Sequence, residues 1–251
     1  MKKLILCLML TASMNLFADL SQKDKALFQA IKSMNLEAVE IALGNGADPN
    51  VINDCGGDVP LQSAERNGST EIVELLIDHG AKIDTLGKYS NDTILHSAVQ
   101  NNHPAIVKLL IAKNADVDIH DKYLSTPLHK AAGDDKRIAI AQLLIENGAD
   151  VNAVNQFGRT PLYEAIEGGY FAPIRDVKMV ELLLDHGAGV NSIVCSKEKL
   201  TPLLWAVRQR QKGIVKLLLD RGADRTAKDI DGMTAAKYAQ SYLYTDILRL
   251  F

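Results

Sequence analysis

Residues 126–152 decide the fold. They open Thr126-Pro127-Leu128-His129-Lys130-Ala131-Ala132 and close Leu143-Leu144-Ile145-Glu146-Asn147-Gly148-Ala149-Asp150-Val151-Asn152. Thr supplies an N-cap oxygen, and Pro at the first helical position gives up no needed N–H. A short helix with close-packing alanines follows. The acidic turn Gly133-Asp134-Asp135 is read as solvated surface. A second, more apolar helix carries its Leu and Ile on one stripe at helical spacing. Gly148 ends that helix in the left-handed region.

The pattern recurs on either side. The small-residue turn appears at Gly46, Gly80, Asn114, Gly148, Gly187 and Gly222, with spacings of 34, 34, 34, 39 and 35. The Thr-Pro anchor appears at Val59-Pro60, Thr93-Ile94, Thr126-Pro127, Thr160-Pro161 and Thr201-Pro202, with spacings of 34, 33, 34 and 41. Two independent anchors with one period mark a repeat architecture.

Thr126-Pro127-Leu128-His129-x-Ala131-Ala132 and Leu143 to Asn152 closely resemble the two signatures of the ankyrin repeat family. The resemblance covers essentially all of residues 21–251. It implies an all-α solenoid of about seven helix-turn-helix units with β-hairpin-like fingers. The units span approximately 21–53, 54–87, 88–120, 121–154, 155–195, 196–227 and 228–251. The first lacks Thr-Pro and the last stops at Phe251, which suits caps at both ends. Unit five carries about six extra residues around Gly168–Arg175; an insertion at such a turn is cheap and often functional. A glycine stands two residues before Thr-Pro at Gly57, Gly158 and Gly232, but Asn91, Leu124 and Lys199 replace it elsewhere. Leu and Lys adopt positive φ badly, so reshaped fingers are expected in units four and six.

The chain begins Met1-Lys2-Lys3, followed by an apolar run from Leu4 and by Ala18-Asp19. This reads as a secretory signal over 1–18, leaving 19–251 as the repeat domain. An apolar stretch of about 15 residues falls short of the roughly 20 that span a bilayer; a retained membrane anchor is the alternative. The expected location is periplasmic or secreted. Loss of Lys2 and Lys3 takes the formal charge from −3 to −5.

Among 251 residues, 28 Lys and Arg balance 31 Asp and Glu. A nucleic-acid binder is usually strongly basic, so no nucleic acid is expected, and no membrane after cleavage. Hydrophobic residues make up 47% and exclude wholesale disorder. Aromatics are only 5%. No nucleophile elbow, zinc-protease motif or phosphate loop is present. His96 and His103 lie two helical turns apart but occupy family positions. By resemblance, the motif His and Thr hydrogen-bond locally. His79 and His186 sit at helix C-termini, where a cation complements the dipole. No cofactor, metal or catalytic residue is expected. Cys55 and Cys195, on fingers four units apart, read as about 40 Å from one another, too far for a disulfide.

The resemblance implies a monomeric, non-catalytic module that binds another protein with its finger tips and first helices. It would act as scaffold, protector or inhibitor; the alternatives are an effector delivered into a host cell and, more remotely, a metal-binding or enzymatic protein. The implied contact positions include Tyr89, Lys122, Tyr123, Gln156, Phe157, Arg159 and Arg208. Tyr89, Tyr123 and Phe157 fall on three consecutive fingers. Tyr123 and Phe157 should stand about 10 Å apart, and aromatics and Arg are enriched in hot spots. The competing reading is that each ring packs on the adjacent finger. Trp205 is expected between helices, with partial exposure on the concave surface.

The leader makes a direct prediction. Sequencing the exported protein should return Asp19 as its first residue, and an unprocessed Met1 in a membrane fraction would favour the anchor.

Overall fold

The computed structural model describes residues 20–53, 57–86, 92–167, 176–193 and 198–251. The signal segment, Cys7, Cys55, Cys195, Tyr89 and the Gly168–Arg175 insertion lie outside the described residues. The chain divides into two bodies, the first ending at Ala115 and the second running Asp116–Phe251.

The first body stacks three helix pairs: α1 (Gln22–Lys32) with α2 (Leu36–Gly44), α3 (Pro60–Arg66) with α4 (Thr70–Asp78), and α5 (Ile94–Gln100) with α6 (Pro104–Ala112). The second stacks four: α7 (Pro127–Ala132) with α8 (Ile138–Glu146), α9 (Pro161–Glu167) with α10 (Val177–Asp185), α11 (Pro202–Arg208) with α12 (Lys212–Asp220), and α13 (Ala235–Ser241) with α14 (Thr245–Leu248). Within each body, first helices contact first helices and second contact second. Among the described residues there is no strand, only an isolated bridge at Leu200.

The five middle second helices bury the same i, i+1, i+4 stripe: Ile72, Val73 and Leu76; Ile106, Val107 and Leu110; Ile140, Ala141 and Leu144; Met179, Val180 and Leu183; Ile214, Val215 and Leu218. A single pair would leave much of that stripe wet, so neighbours complete the core.

Amide clamps tie the repeats together. Asn50 Nδ2 donates to Gly80 O at 2.9 Å, and Asn50 Oδ1 accepts from Lys82 N–H at 2.9 Å. Asn152 does the same to Gly187 O and Gly189 N–H, and Asn191 to Gly222 O and Asp224 N–H.

The motif threonines act in two ways. Where the motif histidine is present, the hydroxyl pairs with it: Thr93 Oγ1 lies 3.0 Å from His96 Nδ1, and Thr126 Oγ1 2.9 Å from His129 Nδ1. Where it is absent, Thr160 and Thr201 accept from the N–H groups of Tyr163 and Leu204. His79 and His186 place Nδ1 2.9 Å from Leu75 O and Leu182 O at their helix ends. Among the described residues no three His, Cys, Asp or Glu side chains converge as metal ligands would.

One buried group departs from the pattern. Where other first helices bury Val99, Ala132, Ile166 and Val207, α3 buries Glu65 completely. Its carboxylate accepts from Ser97 Oγ at 2.5 Å, Asn101 Nδ2 at 3.2 Å and His103 Nδ1 at 3.0 Å, all from the next repeat. A buried carboxylate is tolerable when its lone pairs are met this way.

Two stability outcomes follow. Leu144 is fully buried, so Leu144→Ala should cost about 2–5 kcal/mol in denaturant unfolding, whereas exposed Lys122→Ala should stay within about 0.5 kcal/mol. Equal midpoints would contradict the repeat assignment. His103→Ala leaves buried Glu65 short of a donor and should cost about 1–3 kcal/mol. Adding Glu65→Val should recover most of that loss, because an apolar replacement removes the unmet carboxylate; additive losses in the double-mutant cycle would refute the coupling.

Candidate interaction surface

Three fingers of the second body begin at an Asp or Asn five residues before the motif threonine: Asp121, Asn155 and Asp229. Asp121 Oδ1 accepts from Tyr123 N–H at 2.7 Å and Ser125 N–H at 2.8 Å. Asn155 Oδ1 accepts from Phe157 and Arg159 N–H, and Asp229 Oδ1 from Asp231 and Met233 N–H. Backbone bonds help close the reversals, among them Asp121 N–H to Ser125 O and Asn155 N–H to Arg159 O, both 3.0 Å. Burial works against the Asp121 carboxylate, but Lys130 at 2.8 Å and the two N–H donors outweigh it and hold its pKa below the ordinary value.

This base corrects one expectation. Leu124 and Lys199 take φ of 57° and 52°, beside 72° and 74° at Gly158 and Gly232. The unit-four finger is therefore not reshaped: Leu124 N–H donates to Asp121 O at 3.0 Å, as Gly158 N–H does to Asn155 O at 2.9 Å. The Asp121 contacts hold leucine in a conformation that costs roughly 1–2 kcal/mol.

The tips project Tyr123 and Phe157, 41% and 53% exposed, with Leu124 beside them at 51%. Their ring centroids are 6.0 Å apart, closer than the repeat spacing, because the rings lean together. Gln156 N–H also donates to Tyr123 O at 2.9 Å and ties the two fingers. The rings touch, as the competing reading expects, and each stays partly exposed. Lys122 Nζ lies 4.7 Å from the Tyr123 ring centre.

Arg159 links tips to first helices. Its guanidinium carbon lies 5.8 Å from the Phe157 ring and 4.5 Å from that of Tyr163, and Nη1 lies 3.3 Å from Glu167. Its carbonyl lies 3.0 Å from Nε2 of His129, whose burial pushes the imidazole pKa down. Tyr163 is buried and stacks on Trp205 at 5.0 Å and 13°; Trp205 is half-buried, as expected. Arg208 pairs with Glu198 and lies over Trp205 at 5.6 Å and Tyr238 at 5.7 Å. Burial, then the bond to Asp229, pushes the Tyr238 phenol up to about 12. Tyr238, Tyr242 and Tyr244 continue the stack at 5.9 and 5.5 Å.

Lys122, Tyr123, Gln156 and Phe157 therefore meet at adjacent tips. Arg159 joins them to a cation–aromatic ladder that includes Arg208. Leu124 belongs to the same surface and was not among the expected contacts, nor were buried Tyr163 and half-buried Tyr238, whose rings belong to the ladder. The recurrence of Asp121, Asn155 and Asp229 in one register was a readable signal for the finger base.

Comparison with known proteins agrees with this geometry. A family profile described as ankyrin repeats (3 copies) matches three times, over residues 27–121, 117–194 and 174–251. A search of curated protein sequences finds no match. Among solved structures, the chain is similar to the crystal structure of the ankyrin repeat domain of Bcl-3, described as a unique member of the IkappaB protein family. The two are 29% identical with a TM-score of 0.75, over 89% of this chain and 97% of that one. Because 556 solved chains match, the likeness points to a widely shared fold rather than to one relative. Three profile matches spanning residues 27–251, on the helix pairs described above, show that the chain belongs to the ankyrin repeat family.

Proposed function

We propose that this chain is an exported, non-catalytic binding module that grips a partner protein with the finger tips of its second body, as a scaffold, protector or inhibitor of that partner. Ankyrin repeats are protein–protein interaction modules, and the chain carries them along most of its length. The observation that carries the finer reading is the tip geometry. In a chain with one Trp, 5 Phe and 7 Tyr, two aromatic rings and a leucine stand exposed on adjacent tips. A glycine would serve the turn better at Leu124, so the bulky exposed side chain is held there against a backbone cost. Strain of this kind is a pointer to function. Export rests on the Lys2-Lys3 and Leu4–Leu10 pattern ahead of Ala18.

A pull-down with the purified protein, read by mass spectrometry, supplies the partner for the test. Truncating a hot spot costs at least about 2 kcal/mol, close to thirtyfold in affinity. Tyr123→Ala with Phe157→Ala should weaken partner binding at least that much and leave helical circular dichroism intact. Lys216→Ala, on an exposed second-helix face, should bind normally. Normal binding by the double variant would move the site away from the tips.

A further inference from the structure

The turn that joins α13 to α14 carries Tyr242, Leu243 and Tyr244 in succession. It lies at the far end of α13 from the finger, a seven-residue helix away, or roughly 10 Å. Leu243 is 81% exposed, more than any other large apolar side chain among the described residues, and Tyr242 is exposed beside it.

The backbone of this turn repeats that of earlier units. Leu243 N–H donates to Gln240 O at 3.1 Å and Tyr244 N–H to Ala239 O at 2.8 Å. Gly68 and Ser69 donate in the same way to Glu65 and Ala64, and Asn102 and His103 to Val99 and Ala98. Such a helix end takes one residue at positive φ, and Gly or Asn adopts it with least strain. Gly68 and Asn102 stand there at 73° and 55°, but Leu243 at 58° and Arg210, at the preceding unit's turn, at 55°. Two adjacent turns therefore hold a leucine and an arginine in a conformation that suits neither. Leu243 gains no burial there, and strain without packing points to function.

The surroundings are aromatic and cationic. The Tyr242 ring stacks on those of Tyr238 and Tyr244 at 5.9 and 5.5 Å. Arg210 is exposed and lies 5.1 Å from the Tyr244 ring centre. Lys212 stands two residues on, 4.0 Å from Asp246, with both side chains about half exposed. A surface pair of that length holds the lysine weakly.

We propose that this turn is a peripheral contact with an anionic lipid bilayer. Leu243 enters the surface, the tyrosines sit at headgroup level, and Arg210 and Lys212 meet lipid phosphates. Tyr is apolar in its body and polar at its hydroxyl, which suits that boundary, and cations beside it are drawn to anionic lipids. Area decides against a folded protein or a second copy as the occupant. A stable interface takes roughly 20–30 residues and about 800 Å² from each side, and a three-residue projection offers far less. A bilayer asks for a few apolar side chains and flanking charge. Among the described residues no helix is long and apolar enough to cross a membrane, and the contact proposed is a surface one. The expectation of no membrane rested on a chain-wide balance of 28 basic and 31 acidic residues, which does not report a local cluster.

The test is co-sedimentation of the purified protein with vesicles of phosphatidylcholine, alone or mixed with phosphatidylglycerol. The protein should bind the mixed vesicles more tightly, and less so as salt rises. Arg210→Gln with Lys212→Gln should weaken that binding about twentyfold, since each cation at an anionic surface is worth about fivefold. Leu243→Asn should weaken it about tenfold and leave circular dichroism intact, because Asn102 fills the same turn position. Leu243→Met should bind as the unaltered protein does. Equal binding to phosphatidylcholine alone, or undiminished binding by either set of weakened variants, overturns the proposal. A concentration-dependent mass that Leu243→Asn abolishes, with vesicles unbound, also overturns it, because the turn would then join two copies. Tyr123→Ala with Phe157→Ala should bind vesicles normally, so failure here and failure of the finger-tip reading are separate results.

Discussion

No repeat in this chain is stable by itself. A helix of seven residues followed by one of nine buries too little apolar surface to offset the entropy of ordering it. Each pair therefore depends on a neighbour that covers its stripe, and the sequence repeats that stripe in the five middle units. The clamps of Asn50, Asn152 and Asn191 add polar fidelity to an apolar contact. Each meets a helix-end carbonyl and an N–H of the following turn, and so sets register as well as affinity. Glu65 with Ser97, Asn101 and His103 is a polar version of the same dependence. Nearest-neighbour coupling of this kind leaves the finger tips free of any structural duty in the core.

That freedom is used differently from tip to tip. Asp121, Asn155 and Asp229 each fold the finger with one side-chain oxygen and two backbone donors. The turn is thereby specified at its base, and the tip residues are open to variation. Leu124 shows how strong the specification is, since a leucine is carried into a backbone region that glycine prefers. The rings of Tyr123 and Phe157 gain from each other what an exposed aromatic lacks, a packing partner, while each keeps part of its surface open. Such a pair is partly pre-organised, which lowers the entropy lost on binding.

The fold was legible because the Thr-Pro and Gly-Ala anchors report backbone geometry directly: a helix start and a helix end. Two anchors at one period leave few architectures. The finger positions of Lys122, Tyr123, Gln156 and Phe157 followed from the same register. Other features depend on distances between repeats, which a linear pattern does not carry. Glu65 reads as an ordinary helical acid until Ser97, Asn101 and His103 of the next repeat surround it. Leu124 reads as a misfit in a glycine position until the Asp121 contacts are seen. Arg159 and Arg208 read as separate surface cations, yet each lies between two aromatic rings of different chain segments.

The central claim is that recognition happens at the finger tips of the second body. Hydrogen exchange of the protein with and without its captured partner tests this most directly. The account predicts slowed exchange in 121–125 and 155–159, with little change in the second helices Val177–Asp185 and Lys212–Asp220. Unchanged exchange at both fingers, with new protection confined to those second helices, would contradict it.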